Sequence, residues 1–279
     1  MMSDLGSDPD WANFYIVRAR MRAKDVAVAE ADYKLALQKD PSQWRFHKEL
    51  AEFYLANKQY DKALAITSPY YKAHPNDYVM GMLQARTLLQ NKKFGEADQI
   101  LSKIHVIPFE GSTDGRQLYK ESKLMLALEA YKTGKYKDAL NFIEQSKEWP
   151  DRLGSGKPYA EEIDERLENW LSYQSYNALK QADKAKPYLQ KIIQFSPRVD
   201  NTVSNFSLSN HLVTAWAYKQ LNQENEGTAF LKSWEGKYPQ NQILKWAEAR
   251  FKGESFQLPE VTRSDENYRI IEWLKVYGL

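Results

Sequence analysis

Small residues recur along this chain beside apolar residues with helical spacing. Three of them, Ala29, Ala63 and Ala97, follow one another at intervals of 34 residues, and the series continues at longer intervals with Ala139, Ala185 and Gly227. An aromatic residue stands three positions before Ala63, Ala97 and Ala139. A small residue lets two helix backbones approach closely, and the aromatic side chain can pack into the groove between helices. The pattern predicts an array of helix–turn–helix repeats.

Turn-forming residues separate the two predicted helices of each repeat. Asn57, Asn91 and Gly134 stand at these points. Asn and Gly tolerate the left-handed backbone conformation in which many helices end, so we expect these residues to adopt it. Most repeats then end near a proline, because the residue before a proline disfavours the helical conformation. These prolines are Pro41, Pro75, Pro108, Pro150, Pro197 and Pro239.

The period of 34 residues resembles that of the tetratricopeptide repeat, which has small residues at its eighth and twentieth positions. The small residues named above occupy the twentieth position, and the eighth positions are Val17, Ala51, Ala85, Ala127, Tyr173 and Ala215. Val17 and Tyr173 depart from the pattern, so the first and fifth repeats are the least regular. The resemblance covers about residues 10–252. It implies an all-α fold, namely a right-handed α-solenoid of about six helix pairs with C-terminal capping helices.

This register also predicts how the chain is divided. The repeats cover about residues 10–43, 44–77, 78–109, 118–150, 164–197 and 207–240. A capping helix is expected at 241–252, and a loop and closing helix at 253–279, with the helix itself over 265–277. Residues 1–9 are expected to be a disordered or artificial tail. The alternative is an irregular helical bundle, against which the repeated pattern argues.

The intervals between small residues lengthen to 42, 46 and 42 after the third repeat. The additional residues fall between repeats, at 105–117, 149–163 and 198–206. Loops that join successive repeats emerge on one edge of a solenoid, so we expect these three to lie near one another. They either form a contact surface or pack their aromatic side chains against the scaffold. The candidate contact residues are Phe109, Glu110, Trp149, Arg152, Lys157 and Tyr159.

Parts of these loops carry a second resemblance. Residues 108–111 and 153–159, followed by the acidic segment 164–168, are similar to the C-terminal repeat region of large bacterial multidomain proteins. In those proteins a conserved domain of unknown function precedes the repeats. The resemblance implies a bacterial source and a missing N-terminal partner domain, and it implies no particular reaction.

Composition and charge narrow the classes of function. The 39 basic and 37 acidic residues leave a net charge of +2, so there is no global field toward nucleic acid or an anionic membrane. There is no cysteine, which excludes disulfides and thiolate chemistry. No signal peptide is visible, and no apolar run approaches the roughly 18 residues that span a bilayer. These features weakly favour the cytoplasm.

No motif indicates catalysis, a cofactor or a metal ion. The segment 154–158 has Gly and Lys but lacks the spacing of a phosphate-binding loop, and Pro158 removes a backbone donor. The four histidines are scattered singly, so we expect structural or solvated roles for them. Acidic residues between 161 and 168 are more typical of a first helical turn than of a catalytic carboxylate pair.

In tetratricopeptide arrays the first helix of each repeat lines a concave groove. The resemblance therefore assigns partner-binding side chains here, basic toward the N-terminus and aromatic or amidic toward the C-terminus. They are Trp11, Phe14, Arg18, Arg22, Arg45, Lys48, Glu52, Arg86, Tyr131, Trp170, Gln174, Asn177, Trp216 and Lys219. The lysine and asparagine clamp with which some arrays grip a C-terminal carboxylate is not matched, since its positions hold Phe14, Arg18, Glu49, Val79 and Leu83.

The sequence thus predicts a non-enzymatic scaffold that holds a protein, a peptide or a neighbouring domain of the same polypeptide in its groove and on its loops. The alternative is an accessory domain of a larger bacterial enzyme, with carbohydrates among the ligands considered, whose loops complete a site on a missing N-terminal domain. Binding of RNA by a helical repeat is disfavoured by the net charge.

Overall fold

The computed structural model describes residues 11–108, 113–195, 207–258 and 267–274. Within these ranges the regular elements are all helical. Two 3₁₀ turns, Asp151–Leu153 and Ala160–Glu162, accompany fourteen α-helices. The helices are α1 (Ala12–Met21), α2 (Val26–Lys39), α3 (Trp44–Ala56), α4 (Tyr60–Ala73), α5 (Tyr78–Gln90), α6 (Phe94–Leu101), α7 (Asp114–Lys132), α8 (Tyr136–Ser146), α9 (Arg166–Ala178), α10 (Ala182–Gln194), α11 (Asn210–Gln220), α12 (Glu224–Lys237), α13 (Gln242–Lys252) and α14 (Tyr268–Leu274).

Successive helices pack against each other in pairs. Helix α1 contacts α2, α3 contacts α4, α5 contacts α6, α9 contacts α10 and α11 contacts α12. Polar caps fix several of the helix starts: Asp77 accepts hydrogen bonds from the backbone N–H groups of Val79 (3.0 Å) and Met80 (3.1 Å), and Asn241 caps α13 in the same way. The predicted all-α fold of helix pairs is confirmed.

The small residues of the repeat lie at helix contacts. Five alanines at the twentieth position are at most 1% exposed: Ala29, Ala63, Ala97, Ala139 and Ala185. At the corresponding Gly227, a β-carbon would stand 3.0 Å from the carbonyl oxygen of Ala215 on α11 and 3.2 Å from Cζ of Phe251 on α13. Each of these positions therefore needs a small residue because a neighbouring helix lies against it.

The turns inside the repeats differ from the prediction in one respect. The left-handed conformation falls on Lys58 and Lys92 (φ 58° and 59°), one residue after the predicted Asn57 and Asn91. Each asparagine instead donates a side-chain hydrogen bond to the carbonyl four residues earlier, at 2.8 and 2.9 Å. The asparagine side chain thus adds a second hydrogen bond to a carbonyl that already accepts from the asparagine's own backbone N–H, and the lysine makes the turn. Gly134, with φ 75°, adopts the predicted conformation.

The first repeat departs from the pattern at its eighth position. Val17 is 44% exposed, whereas Ala51, Ala85 and Ala215 are completely buried. Helix α1 instead buries Phe14 and Ala19 in contact with the rest of the first repeat. The buried side of α1 therefore does not include the eighth position of the register.

The chain divides into two compact units. The first runs to Leu118 and also contains Asp151–Gly154, and the second contains Tyr119–Pro150 and the residues from Ser155 onward. Within the first unit, the first helices α3 and α5 contact each other. Within the second, α9 contacts α11 and α11 contacts α13. Consecutive first helices in each unit therefore share a surface.

The two earlier loops meet in the first unit. The backbone N–H of Val106 donates to the carbonyl of Arg152 (2.8 Å), and the close approach of Val106 to Gly154 leaves no room for a side chain there. The expectation that the loops are neighbours is confirmed for these segments, while 198–206 lies outside the described residues. The first loop was predicted to extend to residue 117, but α7 already begins at Asp114. An acidic side chain in the first turn stabilises the start of a helix.

Helix α14 occupies part of the predicted closing segment. Ile270, Ile271 and Leu274 are at most 2% exposed. The indole N–H of Trp246 on α13 donates to Oε1 of Glu272 (3.1 Å). The end of the chain thus covers apolar surface of the last first-type helix.

Candidate functional site

The N-terminal part of the predicted binding surface is partly structural. Phe14 is buried, while Trp11 is 46% exposed. Nε of Arg18 donates to Oδ2 of Asp32 (2.8 Å), and Nη1 of Arg22 lies 3.8 Å from the same oxygen. Asp32 is buried on α2, so the two arginines neutralise its carboxylate and fix α1 to α2. Their first role is therefore packing within the repeat.

Helices α3 and α5 carry a more accessible set of charged side chains. Arg45 is exposed and its guanidinium lies 4.8 Å from the ring centre of the preceding tryptophan. Lys48 pairs with Glu52 at 2.6 Å, and Nη2 of Arg86 lies 3.4 Å from Oδ2 of Asp114. These last two pairs are partly solvated and thus worth little to stability, about 0–1 kcal/mol each. A partner carboxylate could exchange with them at low cost.

In the second unit a pair of tryptophans joins two first helices. The rings of Trp170 on α9 and Trp216 on α11 lie 5.5 Å apart between centres. Trp170 is 3% exposed and also contacts Tyr173, whose hydroxyl donates to Oε1 of Gln220 (3.0 Å). Trp216 is only half-buried. Trp170 is therefore a support in the core, and Trp216 is the aromatic side chain that the surface presents.

Polar side chains extend along the same helices from the two tryptophans. Gln174 is half-buried and Asn177 is exposed, one and two turns after Trp170. Lys219 is exposed, pairs with Glu224 at 2.7 Å and lies 5.6 Å from the ring centre of Phe251.

Tyr131, on α7, is half-buried and contacts the ring of the aromatic residue that starts α8.

The loop residues have different environments. Nε of Arg152 donates to the carbonyl of Leu101 (3.2 Å), so Arg152 anchors its loop. Trp149 is half-buried and Lys157 is exposed. Tyr159 is 75% exposed, so of the two alternatives for the loop aromatics, packing against the scaffold does not apply to this residue. Two further candidates lie outside the described residues, namely Phe109 and Glu110.

A buried polar network in the second unit is the feature that the sequence analysis missed. Asp164 and Arg166 form an ion pair (2.7 Å) in which each side chain is 1% exposed. Nη1 of Arg166 also donates to Oγ1 of Thr214 (3.1 Å), and the backbone N–H of Ser207 donates to Oδ2 of Asp164 (3.2 Å). Nδ1 of His211 lies 3.4 Å from Nη1 of Arg166. The network joins the start of α9 to α11 and the segment before it.

The network shifts the ionisation of its members. Burial alone would raise the pKa of Asp164, but the charge and hydrogen bonds of Arg166 outweigh it and hold the pKa below its usual value. Burial, followed by the positive charge of Arg166, lowers the pKa of His211 well below 6.5. His211 is therefore neutral at neutral pH, and it also contacts the ring of Trp234 at 4.3 Å.

The acidic cluster only partly follows its predicted role. Glu165 precedes the first residue of α9 and Glu168 lies in the first turn, as acids at a helix start do. Asp164 instead is a buried partner of Arg166, which the acidic pattern did not indicate. Glu168 is also buried and pairs with Lys120 at 2.9 Å. The acids of this segment thus hold the fold together.

The described part of the chain contains no group of three or more histidine, aspartate and glutamate side chains that could hold a metal ion. His47 has a structural contact, since its Nε2 donates to the carbonyl of Pro41 (2.8 Å).

In the part of the chain that the structure describes, no helix has the length and apolar character that crossing a membrane requires.

A family model for the tetratricopeptide repeat matches residues 20–86. No curated protein matches the chain. Among solved structures, a tetratricopeptide repeat protein from Parabacteroides merdae is 12% identical and has a TM-score of 0.50, with 90% of this chain and 88% of that chain covered. This likeness shows a shared fold.

Two further solved structures are similar over most of this chain. The Pseudomonas aeruginosa pilF structure is 14% identical to this chain, with a TM-score of 0.44. The matched region covers 86% of this chain and 97% of the pilF chain. The structure of Naa15/Naa10 bound to HypK-THB is 15% identical to this chain, with a TM-score of 0.48. The matched region covers 98% of this chain and 38% of the matched chain in that structure.

Proposed function

We propose that the chain is a non-enzymatic, protein-binding scaffold, and that its partner contacts the exposed side of the first helices. Trp216 is the observation that carries this proposal. Its ring is half-buried and lies 5.5 Å from the buried ring of Trp170. Lys219 follows Trp216 by one turn on α11, and Gln174 and Asn177 follow Trp170 on α9. An aromatic anchor with a polar rim is the arrangement in which a few residues supply most of the binding energy.

In the first unit, basic side chains on the first helices offer a second contact for the partner. Arg45, Lys48 and Arg86 lie on the adjoining helices α3 and α5. Guanidinium and ammonium groups suit carboxylates through charge-assisted hydrogen bonds. The partner we propose is therefore a protein that carries acidic side chains for the surface of the first unit and, for the second unit, an apolar or aromatic side chain that contacts Trp216.

The experiment is capture of partners from an extract of the source organism, with quantitative mass spectrometry. Wild type is compared with Trp216→Ala, with the triple variant Arg45→Ala, Lys48→Ala, Arg86→Ala, and with a matched control. The control is Lys137→Ala with Lys232→Ala, two exposed lysines on the second helices α8 and α12.

A partner that meets the proposal is enriched by wild type and control alike, and its recovery falls at least tenfold with Trp216→Ala. Binding of the purified partner to each variant then gives the affinity directly, and the helical circular dichroism of each variant verifies its fold. A purified partner whose affinity is the same for wild type, Trp216→Ala and the triple variant would refute the assignment of the binding surface.

A further inference from the structure

A pocket of about 280 Å³ opens in the second unit between the loop before α9, the start of α9 and the end of α10. Its lining combines two lysines, a buried amide and three apolar side chains, and Glu165 and Arg166 complete it. The volume is at the lower end of that found for small-molecule sites, which corresponds to a ligand of about one amino-acid residue. The pocket uses none of the side chains assigned above to the first-helix surface.

The charge available to a ligand in this pocket is positive. Lys157 and Lys191 are exposed, and neither is paired with a carboxylate in the part of the chain that the structure describes. The other two ionic groups of the lining have charged partners. Arg166 is paired with Asp164. Oε2 of Glu165 lies 3.9 Å from Nζ of Lys147, which it shares with the nearer carboxylate of Glu144 at 2.8 Å. The two lysines thus outnumber the single shared carboxylate of the lining, and the charge that faces an anion is positive.

A buried acceptor without a partner is the second observation. Asn169 lines the pocket and is 7% exposed, and its Oδ1 accepts no hydrogen bond from any residue that the structure describes. A buried polar atom left without a partner costs about 1–3 kcal/mol, and few remain so in folded proteins. The oxygen is itself buried, so a rotation of the Asn169 amide must turn it toward the pocket, where a ligand that brings an N–H donor would recover that cost.

The apolar part of the lining completes the description of the ligand. Ala160, Ile163 and Phe195 contribute it, and the Phe195 ring lies 4.9 Å from the guanidinium carbon of Arg166, which fixes its position. We infer that the pocket binds a carboxylate that carries an adjacent amide N–H and a small apolar side chain. The carboxylate pairs with Lys157 and Lys191, the N–H donates to Asn169, and the side chain lies against Ile163.

This chemistry has two sources, the last residue of a peptide and a free N-acylated amino acid. The probe for the shared chemistry is N-acetyl-leucine, titrated into the full chain by isothermal calorimetry. N-acetyl-leucinamide lacks the negative charge and is the ligand control. The peptide acetyl-Ala-Ala-Leu distinguishes the sources, because tighter binding of the peptide identifies a chain end and weaker binding identifies the free compound.

The protein variants are Lys191→Gln and Asn169→Ala, with Lys184→Gln as the control, since Lys184 is exposed on the same helix and does not line the pocket. N-acetyl-leucine binds wild type and Lys184→Gln equally, and Lys191→Gln weakens it about tenfold. The leucinamide binds at least tenfold more weakly than the acid and is unaffected by Lys191→Gln.

Equal binding of acid and amide overturns the inference, as does a Lys184→Gln effect as large as that of Lys191→Gln. Inorganic phosphate that binds as tightly as N-acetyl-leucine overturns the amide contact, and absence of any binding overturns the site. The binding of N-acetyl-leucine to Asn169→Ala is interpreted only after its circular dichroism spectrum has verified that the variant is folded. Because Trp216 is not part of the pocket, Trp216→Ala leaves binding of N-acetyl-leucine unchanged whether or not the first-helix surface binds a partner.

Discussion

Arg166 and Asp164 form an ion pair from which solvent is almost excluded, although the two residues are only two positions apart. Nη2 of Arg166 lies 2.7 Å from Oδ2 of Asp164, and Nε lies 2.9 Å from Oδ1, so the contact is bidentate. The remaining donors of Arg166 reach Thr214 and the carbonyl of Ser207. The pair thereby connects the start of α9 to a part of the chain that follows the whole fifth repeat.

Asp164→Asn is the first prediction. Removing one partner leaves the Arg166 charge buried without a counter-charge, so the free energy of unfolding falls by about 3–5 kcal/mol. The measurement is chemical denaturation followed by circular dichroism. Asp138→Asn, at an exposed position in the first turn of α8, is the control and costs at most about 1 kcal/mol through the helix dipole. Equal losses for the two variants would contradict a stabilising role for the pair.

The second prediction concerns acid sensitivity. His211 is buried beside Arg166, and burial and that charge lower its pKa well below 6.5. Below pH 6.5 the unfolded chain binds a proton on this histidine and the folded chain does not. The free energy of unfolding therefore decreases as the pH falls from 6.5 to 5, with a slope approaching about 1.4 kcal/mol per pH unit.

His211→Phe removes this titration and thereby flattens the pH dependence of stability between pH 7 and 5. The measurement is denaturation at several pH values in that window. His74→Gln is the matched control, since His74 is exposed at the end of α4, and it keeps the wild-type slope. An unchanged slope in His211→Phe would show that other groups cause the acid sensitivity. Asp164 and Glu30, whose pKa values are both lowered in the folded state, contribute a further loss below about pH 4.

The sequence predicted the parts of the fold that depend on contacts repeated at a fixed period. Ala63 and Ala97 are identifiable because every repeat needs a small residue where its helices touch. Arg166 and Asp164 were not identifiable as a buried pair, since acids beside an arginine at a helix start are typical of a solvated first turn. Their burial results from packing against Ser207 and the helix after it, which local patterns do not encode.

The exposure of the predicted binding residues followed less from the sequence than the helices did, for a related reason. Spacing along a first helix gives the side of the helix on which a residue lies but not what its neighbours leave exposed. Trp170 and Trp216 occupy comparable places in the pattern, yet Trp170 is buried and Trp216 is half-buried. No sequence pattern indicated that Asn169 and Lys191 line a pocket, because that pocket is formed by a loop and two helix ends.

The third prediction concerns the left-handed turns. Lys180 has φ 58°, a conformation that costs a residue with a β-carbon about 1–2 kcal/mol and costs glycine little. Lys180→Gly therefore stabilises the chain, by about 0.5–1 kcal/mol once the greater chain entropy of glycine is subtracted. Gly134 offers the reverse test, because it has φ 75° and open space around its α-carbon. Gly134→Ala destabilises by about 1 kcal/mol. A loss of stability in Lys180→Gly would contradict the strain at this position.

The last prediction compares two glycines of α12. At Gly227 a β-carbon would stand 3.0 Å from the carbonyl oxygen of Ala215 and 3.2 Å from Cζ of Phe251. At Gly236 it would meet no atom of the described residues within 4 Å. Gly236→Ala stabilises by up to about 1 kcal/mol, because alanine favours the helix over glycine. Gly227→Ala gains the same propensity but must separate α12 from the backbone of α11, so it is destabilising by about 1–3 kcal/mol. Thermal and chemical denaturation of both variants measure the difference directly. If Gly227→Ala were as stabilising as Gly236→Ala, the close approach of the two helices would not be what keeps this position small.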